Sequence, residues 1–347
     1  MRYNTLGNTN IDVSLLCLGT MTWGEQNTEQ EAFEQMDYAV EQGINFFDTA
    51  ELYAVPSLPK TYGATERIIG NWLQARGNRD KMVIASKVVG PSSGWIKHIR
   101  GGKTRLTRDY IRQAIEGSLE RLQTDYIDLY QLHWPDRKTN FFGQLGYSYE
   151  PDPDSTPIEE TLIALGELVQ EGKIRAIGLS NETAWGAMKF IHHAEQLNLP
   201  RMVTIQNPYN LLNRSFEVAL AEVCHREDMG LMSYSPLGFG VLTGKYLNDQ
   251  FPDNARCTLF QEYKRYFKPS AVEATQKYVD LAAEAGITPA QLALAFINQQ
   301  SFLRGNIIGA TTMAQLKENI SSHEITLTAD TLEAIEKIHA VHTYPAP

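Results

Sequence analysis

Four side chains able to hold or move a proton stand at the ends of short apolar runs, or just beyond one. Asp48 closes Ile44 to Asp48, Lys87 closes Met82 to Lys87, His133 closes Ile127 to His133, and Tyr53 follows Asp48 five residues on. If these runs are strands of one sheet, a carboxylate, an ammonium, an imidazole and a phenol meet at one of its ends. A phenol of reference pKa about 10 is a poor acid at neutral pH, and each unit of lowering takes about 1.4 kcal/mol of preferential phenolate stabilisation. Lys87 is placed to supply it. A lysine ending the apolar strand Val83-Ile84-Ala85 must be partly buried, which is costly unless a carboxylate such as Asp48 is near. The pattern therefore predicts that Tyr53 donates a proton to a developing alkoxide, Lys87 and Asp48 tune it, and His133 hydrogen-bonds a carbonyl oxygen. Taken singly, each residue has a plain structural explanation as a helix cap, a surface charge, a packing ring or a satisfied core histidine. Their combination points to chemistry.

Reduction of a carbonyl needs a hydride donor, which no side chain can be, so a nicotinamide cofactor is expected. Ser180, Asn181 and Gln206 fall at the ends of the fifth and sixth strand-like runs, with polar groups suited to a carboxamide. Tyr234, in the seventh, offers a flat face to a nicotinamide ring. Ser235, Pro236, Leu237, Gly238 and Gly240, with Gly244 and Lys245 beyond, can bring backbone amides near a pyrophosphate, while Lys245 and Arg256 add positive charge. Gly309-Ala310-Thr311-Thr312 opens a helix from Met313 to Ser322, whose N-terminus suits an anion. A 2′-phosphate there favours NADP(H) over NAD(H).

The elements that must position these groups alternate. After a short hairpin (Arg2 to Leu6, Ile11 to Val13), strand-like runs alternate with helical periods, as in a parallel sheet. Eight strands are expected, ending near Leu18, Asp48, Lys87, His133, Ser180, Asn207, Ser235 and Ile308. Helix starts are marked by Thr156-Pro157-Ile158-Glu159, Thr28 with Glu31, Thr288-Pro289 with Gln291, and Thr312 with Gln315. Helix-to-strand connections are short, whereas those leaving the strands from Pro91, Trp134 and Pro236 are long. The pattern predicts an α/β fold, a single (β/α)8 TIM barrel with long loops at its C-terminal face, where chemistry resides. No composition break divides the chain, so one domain is expected over 1–347. A doubly wound dinucleotide fold would need a glycine-rich turn after its first strand, and none is present.

Composition bounds the partners. The net charge of -10 and the hydrophobic share of 43% predict a folded, acidic protein with no affinity for nucleic acid. No apolar run is long enough to cross a membrane. The start, Met1 to Gly7, has no apolar signal-like segment, so the expected location is cytoplasmic. Cys17, Cys224 and Cys257 lack zinc spacing and are expected to be inert thiols; His192-His193 diverge on a helix and make a poor chelate, so no metal is expected.

These motifs resemble the aldo-keto reductases along essentially the whole chain. The resemblance rests on Leu18-Gly19-Thr20-Met21, Gly43 to Ala50 with Tyr53, Ile84-Ala85-Ser86-Lys87, Asp128 to Trp134, Gly178-Leu179-Ser180-Asn181, Gln206-Asn207, Tyr234-Ser235-Pro236-Leu237 and Ile308 to Thr312. It implies a β/α barrel, NADP(H) as cofactor, a small-molecule carbonyl substrate and proton donation from Tyr53. It further implies cofactor contacts from Gly19, Thr20, Met21, Gly309, Thr311, Gln315, Glu318 and Asn319. The stretch Ala54 to Tyr62 is longer than is usual in that family. Trp23, Trp95 and Trp134 are candidates to wall an apolar pocket for aldehydes, ketones or quinones. The family's relatives also include potassium-channel β-subunits, so a regulatory cofactor-binding role is the alternative, and the oligomeric state is open.

Overall fold

The computed structural model describes residues 1–92 and 94–347. Strands β1 (Tyr3–Thr5) and β2 (Asp12–Ser14) form the N-terminal antiparallel hairpin. Eight parallel strands follow: β3 (Leu16–Gly19), β4 (Phe46–Asp48), β5 (Val83–Val88), β6 (Ile127–Leu132), β7 (Ile174–Ser180), β8 (Met202–Pro208), β9 (Gly230–Tyr234) and β10 (Leu303–Ile308). They close into a barrel in the order β10-β3-β4-β5-β6-β7-β8-β9, the β/α barrel expected from the alternating pattern. The helices are α1 (Glu29–Glu41), α2 (Ala64–Arg76), α3 (Arg108–Leu122), α4 (Ile158–Gln170), α5 (Ala184–Leu197), α6 (Leu220–Arg226), α7 (Arg256–Leu259), α8 (Pro269–Glu284), α9 (Pro289–Asn298), α10 (Met313–Ser321) and α11 (Ala329–Val341).

Strand periodicity sorts each strand's side chains between two cores. Phe47, Ile84, Tyr130 and Leu132 pack outward against the helices. Phe46, Val83, Ala85 and Leu129 alternate with them and fill the barrel interior with Cys17 and Met232. Leu6, Ile11 and Val13 of the hairpin join that inner cluster, so β1 and β2 plug the end of the barrel at which the strands begin. Chemistry is left one open end.

Helix starts follow the capping signals with one exception. Thr28 with Glu31 and Thr288 with Gln291 form reciprocal capping boxes, each cap stabilising its helix by about 1 kcal/mol. Thr312 accepts from the Gln315 amide, while the Gln315 side chain reaches Thr311 N at 2.9 Å. The exception is Thr156. Here α4 begins at Ile158, Pro157 occupies the cap position with φ -57° and ψ 139°, and the Thr156 hydroxyl is buried without a hydrogen-bond partner among the described residues. Thr156 stands one residue too early to reach the first-turn amides.

The long connections 89–107, 133–157 and 235–268 all leave the C-terminal ends of strands. Cys17, Cys224 and Cys257 are free and buried. Among the described residues, no helix is long and apolar enough to cross a membrane, and no group of three candidate ligands could hold a metal.

Candidate active site

The same alternation that fills the barrel aims the chemistry inward. Asp48 continues the face of Phe46, Lys87 that of Val83 and Ala85, and Gln131 that of Leu129. Register sets Lys87 beside Gln131 and Asp48 beside Ala85, two residues before Lys87 on the same face, within reach of the lysine side chain. Lys87 Nζ donates to Asp48 Oδ2 at 2.6 Å, to the Thr49 carbonyl at 2.8 Å and to the Tyr53 hydroxyl at 3.5 Å. Asp48 Oδ1 accepts from Gln206 at 2.8 Å and from Gln131 at 3.3 Å. Every polar atom of the buried pair therefore has a partner, which is the condition for tolerating it.

Tyr53 comes from the loop after β4, and that loop is pinned. The Glu51 amide donates to the Lys87 carbonyl at 3.2 Å, while its carboxylate accepts from Val89 N at 2.8 Å and from both terminal nitrogens of Arg100 at 2.7 and 2.8 Å. The His133 ring stands edge-on to Tyr53, with centroids 5.7 Å apart. Its Nδ1 is enclosed without a partner among the described residues. Asp48 and Lys87 on two strands, His133 one residue past the end of β6 and Tyr53 on a loop thus come together at the barrel mouth.

Burial sets their protonation. It pushes the Tyr53 phenol above its ordinary value, and the neighbouring Lys87 ammonium opposes without overcoming it. The expectation that Lys87 tunes Tyr53 downward holds for the sign of that one interaction, and desolvation outweighs it. Burial alone would lower Lys87, but Asp48 and Tyr53 hold it above its ordinary value. Burial, seconded by Lys87, lowers His133 well below the usual imidazole range. At neutral pH the site therefore holds a protonated phenol beside a neutral imidazole and an ammonium.

Tyr53, Asp48 and His133 line a cavity of about 1360 Å³, and Lys87 lies behind them. One part of its wall is apolar: Leu52, Val55, Pro56, Trp95 and Phe142. Trp95 is 55% exposed and faces it directly. Trp23 and Trp134 do not line it. Trp23 is fully buried and donates to Gln35 at 3.1 Å; Trp134 is fully buried, donates to the Pro91 carbonyl at 3.0 Å and backs Trp95 at 5.6 Å. Aromatic composition identified the region but not which rings turn inward.

Another part of the wall carries Lys245, Arg256, Lys264, Arg265 and Lys268. Lys245 and Arg256 are half-buried, and burial lowers both below their ordinary values with no carboxylate among the described residues offsetting it. Such cations favour an anionic occupant. Gly240 has φ +87°, and a Cβ there would meet Lys245 Nζ at 2.8 Å, so this glycine lets the ammonium fold against the loop backbone. Gly309 has open space where a Cβ would point, just before α10, and lines the cavity with Thr311, Gln315, Glu318 and Asn319. Gly19, Thr20, Met21, Ser235, Pro236 and Leu237 also line it. Gly238 and Gly244 do not: Gly238 is buried against Tyr266, and Gly244 closes the turn that carries Lys245. The residues present fit a phosphorylated dinucleotide.

The carboxamide-binding candidates are engaged with one another as well as facing the cavity. Ser180 Oγ donates to the Gln206 carbonyl at 3.0 Å, Asn181 Nδ2 donates to the His133 carbonyl at 2.9 Å, and Asn181 Oδ1 accepts from Tyr234 at 2.6 Å. Asn181 adopts φ +53°, which turns it off the end of β7 toward the site. Three contributors escaped sequence reasoning: Gln131, Glu51 and Arg265. Gln131 was readable from period two within β6, and Arg265 from the basic run Lys264 to Lys268 in an acidic chain. Glu51 carried no local signal, since its partners are 38 and 49 residues away.

A closed barrel with an aspartate, lysine, tyrosine and histidine at the mouth defines a class, and comparison agrees. The model of the aldo/keto reductase family matches residues 15–340, and the chain belongs to that family. It is 54% identical over 347 residues to Protein tas of Escherichia coli (strain K12), covering 100% of each chain. It is also 35% identical over 353 residues to the uncharacterized oxidoreductase YrpG of Bacillus subtilis (strain 168), covering 100% of this chain and 97% of that one. Norsolorinic acid reductase B of Dothistroma septosporum is 29% identical over 352 residues, covering 97% of this chain and 81% of that one. The protein is an oxidoreductase of carbonyl compounds.

Proposed function

We propose that the chain is a cytoplasmic, single-domain NADPH-dependent reductase of aldehydes or ketones, with Tyr53 as proton donor. The observation that carries this reading is the pair of cations Lys245 and Arg256, without a carboxylate partner among the described residues, on the same cavity as a protonated Tyr53. Bound NADPH supplies the hydride. The Gly240 loop, Lys245 and Arg256 would hold its phosphates, with Gly309, Thr311, Gln315, Glu318 and Asn319 near the start of α10 holding the remainder of the nucleotide. Ser180, Asn181 and Gln206 would hold the nicotinamide carboxamide, and Tyr234 would offer its ring a flat face.

The chain's residues then handle the proton. His133, neutral and edge-on to Tyr53, hydrogen-bonds the substrate oxygen and fixes its position. Tyr53 gives its proton to that oxygen as negative charge develops there. Lys87, held by Asp48, stabilises the phenolate left behind, a stabilisation needed only once the proton has moved. Asp48 is itself fixed by Gln206 and Gln131, so the ammonium does not wander.

The test is a panel of aldehydes, ketones and quinones assayed by loss of NADPH absorbance, with NADH in parallel. Turnover with NADPH above NADH supports the reading. Protein that binds NADPH yet oxidises it with no carbonyl compound would instead fit a regulatory cofactor-binding role.

A further inference from the structure

The reductase reading accounts for Lys245 and Arg256 but leaves Arg265 without a task. Arg265 lies in the connection from β9 to α8 and lines the cavity. Its Nη1 is enclosed and has no hydrogen-bond partner among the described residues. A guanidinium donor held out of water without an acceptor is costly, and the cost is relieved by an anion bound against it.

One neighbour places it beside the apolar part of the cavity. A Cβ at Gly143 would lie 2.5 Å from Arg265 Nε and 3.0 Å from its Cζ, so the side chain packs directly against that glycine's backbone. Gly143 follows Phe142, whose ring belongs to the apolar wall, on the connection from β6 to α4. Arg265 thus reaches across from one long loop to another. The Arg265 guanidinium also lies 5.9 Å from the Phe239 ring centroid, and Arg256 lies 5.7 Å from the same ring, so Arg265 stands between the Phe142 loop and the Gly240 loop. Lys245 folds against Gly240 itself.

We propose that Arg265 receives an anionic group of the substrate, so that the carbonyl compound reduced is an aldehydo or keto acid. Its apolar body rests on Trp95 and Phe142 and its carboxylate on Arg265. The planar guanidinium fork suits a carboxylate bidentately, which fixes the orientation of the carbonyl as well as adding affinity. The inference rests on the reductase reading, and a cofactor phosphate is the competing source of the same anion chemistry.

The test compares 4-formylbenzoate with methyl 4-formylbenzoate, which share ring and aldehyde and differ in charge. The native protein is expected to favour the acid at least tenfold in kcat/KM. Arg265→Met should cut that acid-over-ester ratio at least tenfold, and Arg265→Lys should retain part of it. Calorimetric titration of 4-formylbenzoate into protein saturated with NADP+ gives a readout without turnover, and there Arg265→Met should weaken binding at least tenfold. Equal treatment of the two probes by the native protein overturns the proposal. So does an Arg265→Met variant whose affinity for NADP+ itself falls as far as its affinity for the acid, since Arg265 would then serve a phosphate. If neither probe oxidises NADPH while calorimetry still favours the acid, the reductase reading fails and the assignment of Arg265 stands.

Discussion

Lys87 donates to Asp48 at 2.6 Å and to the Tyr53 hydroxyl at 3.5 Å, with the lysine fully enclosed and the aspartate nearly so. The short contact holds the charge in place, and the longer one leaves room for the phenol to keep its own proton. An ammonium closer to the phenol would favour the phenolate before substrate arrives. The geometry instead suits a donor that yields its proton only when an oxygen is placed to take it.

Tyr53→Phe removes the proposed donor and is expected to leave the fold and the proposed cofactor wall intact. We expect turnover to fall by about 10²- to 10⁴-fold, the usual contribution of a positioned general acid, with NADPH affinity retained. Steady-state kinetics with fluorescence titration of NADPH checks both. A variant that still turns over at the native rate removes Tyr53 from the mechanism.

Lys87→Met leaves the Asp48 carboxylate buried without its counter-ion. Breaking such a pair costs about 3–5 kcal/mol, whereas replacing both partners recovers much of the loss. Urea unfolding of Lys87→Met and of Asp48→Leu/Lys87→Met measures the difference. A single variant within about 1 kcal/mol of native stability, well under that range, would mean that Asp48 is not held charged by Lys87.

His133 links stability to acid. Its folded-state pKa lies well below the ordinary 6.5, so the unfolded chain takes up a proton more readily than the native one. The stability due to this residue is therefore fully present above that ordinary value and is lost as pH falls below it toward the folded pKa. Unfolding free energy should decline between neutral and mildly acidic pH, and His133→Gln should flatten the decline. An unchanged slope in that variant would assign it to other groups.

Lys245→Met should weaken NADPH binding about tenfold, equivalent to about 1.4 kcal/mol, and should make the affinity less sensitive to salt. Fluorescence titration at two ionic strengths provides the measurement. Native-like affinity with native salt dependence would place the phosphates elsewhere.

Glu51→Gln discharges the clamp on Arg100, whose loop also carries Trp95. Faster proteolytic cleavage between Pro91 and Leu106, with KM rising more than kcat falls, is the expected outcome. Cleavage at the native rate would show that the loop is held by packing alone.

The tetrad was legible because each strand-borne member ends an apolar run, and a period of two carries a buried lysine or aspartate to the same face as its apolar predecessors. Barrel closure was legible from the contrast between short and long connections. Orientation inside the long loops was not. Trp23, Trp95 and Trp134 have the same composition signal, yet only Trp95 faces the cavity, since hydrogen bonds to Gln35 and to the Pro91 carbonyl turn the other two away. Thr156 shows the same limit at a single residue, where a proline at the cap position shifted the helix start by one. The two tryptophan contacts span 12 and 43 residues, which periodicity does not encode, whereas the cap shift comes from the adjacent proline.

The division of labour between strands and loops has a consequence for redesign. Most of the proposed proton-handling machinery is rooted in barrel staves, with Tyr53 on a short arm riveted to the next stave, while Trp95, Phe142 and Arg265 hang from extended connections above it. Those connections can be exchanged as cassettes to accept a different molecule, and the chassis that delivers the proton need not be rebuilt.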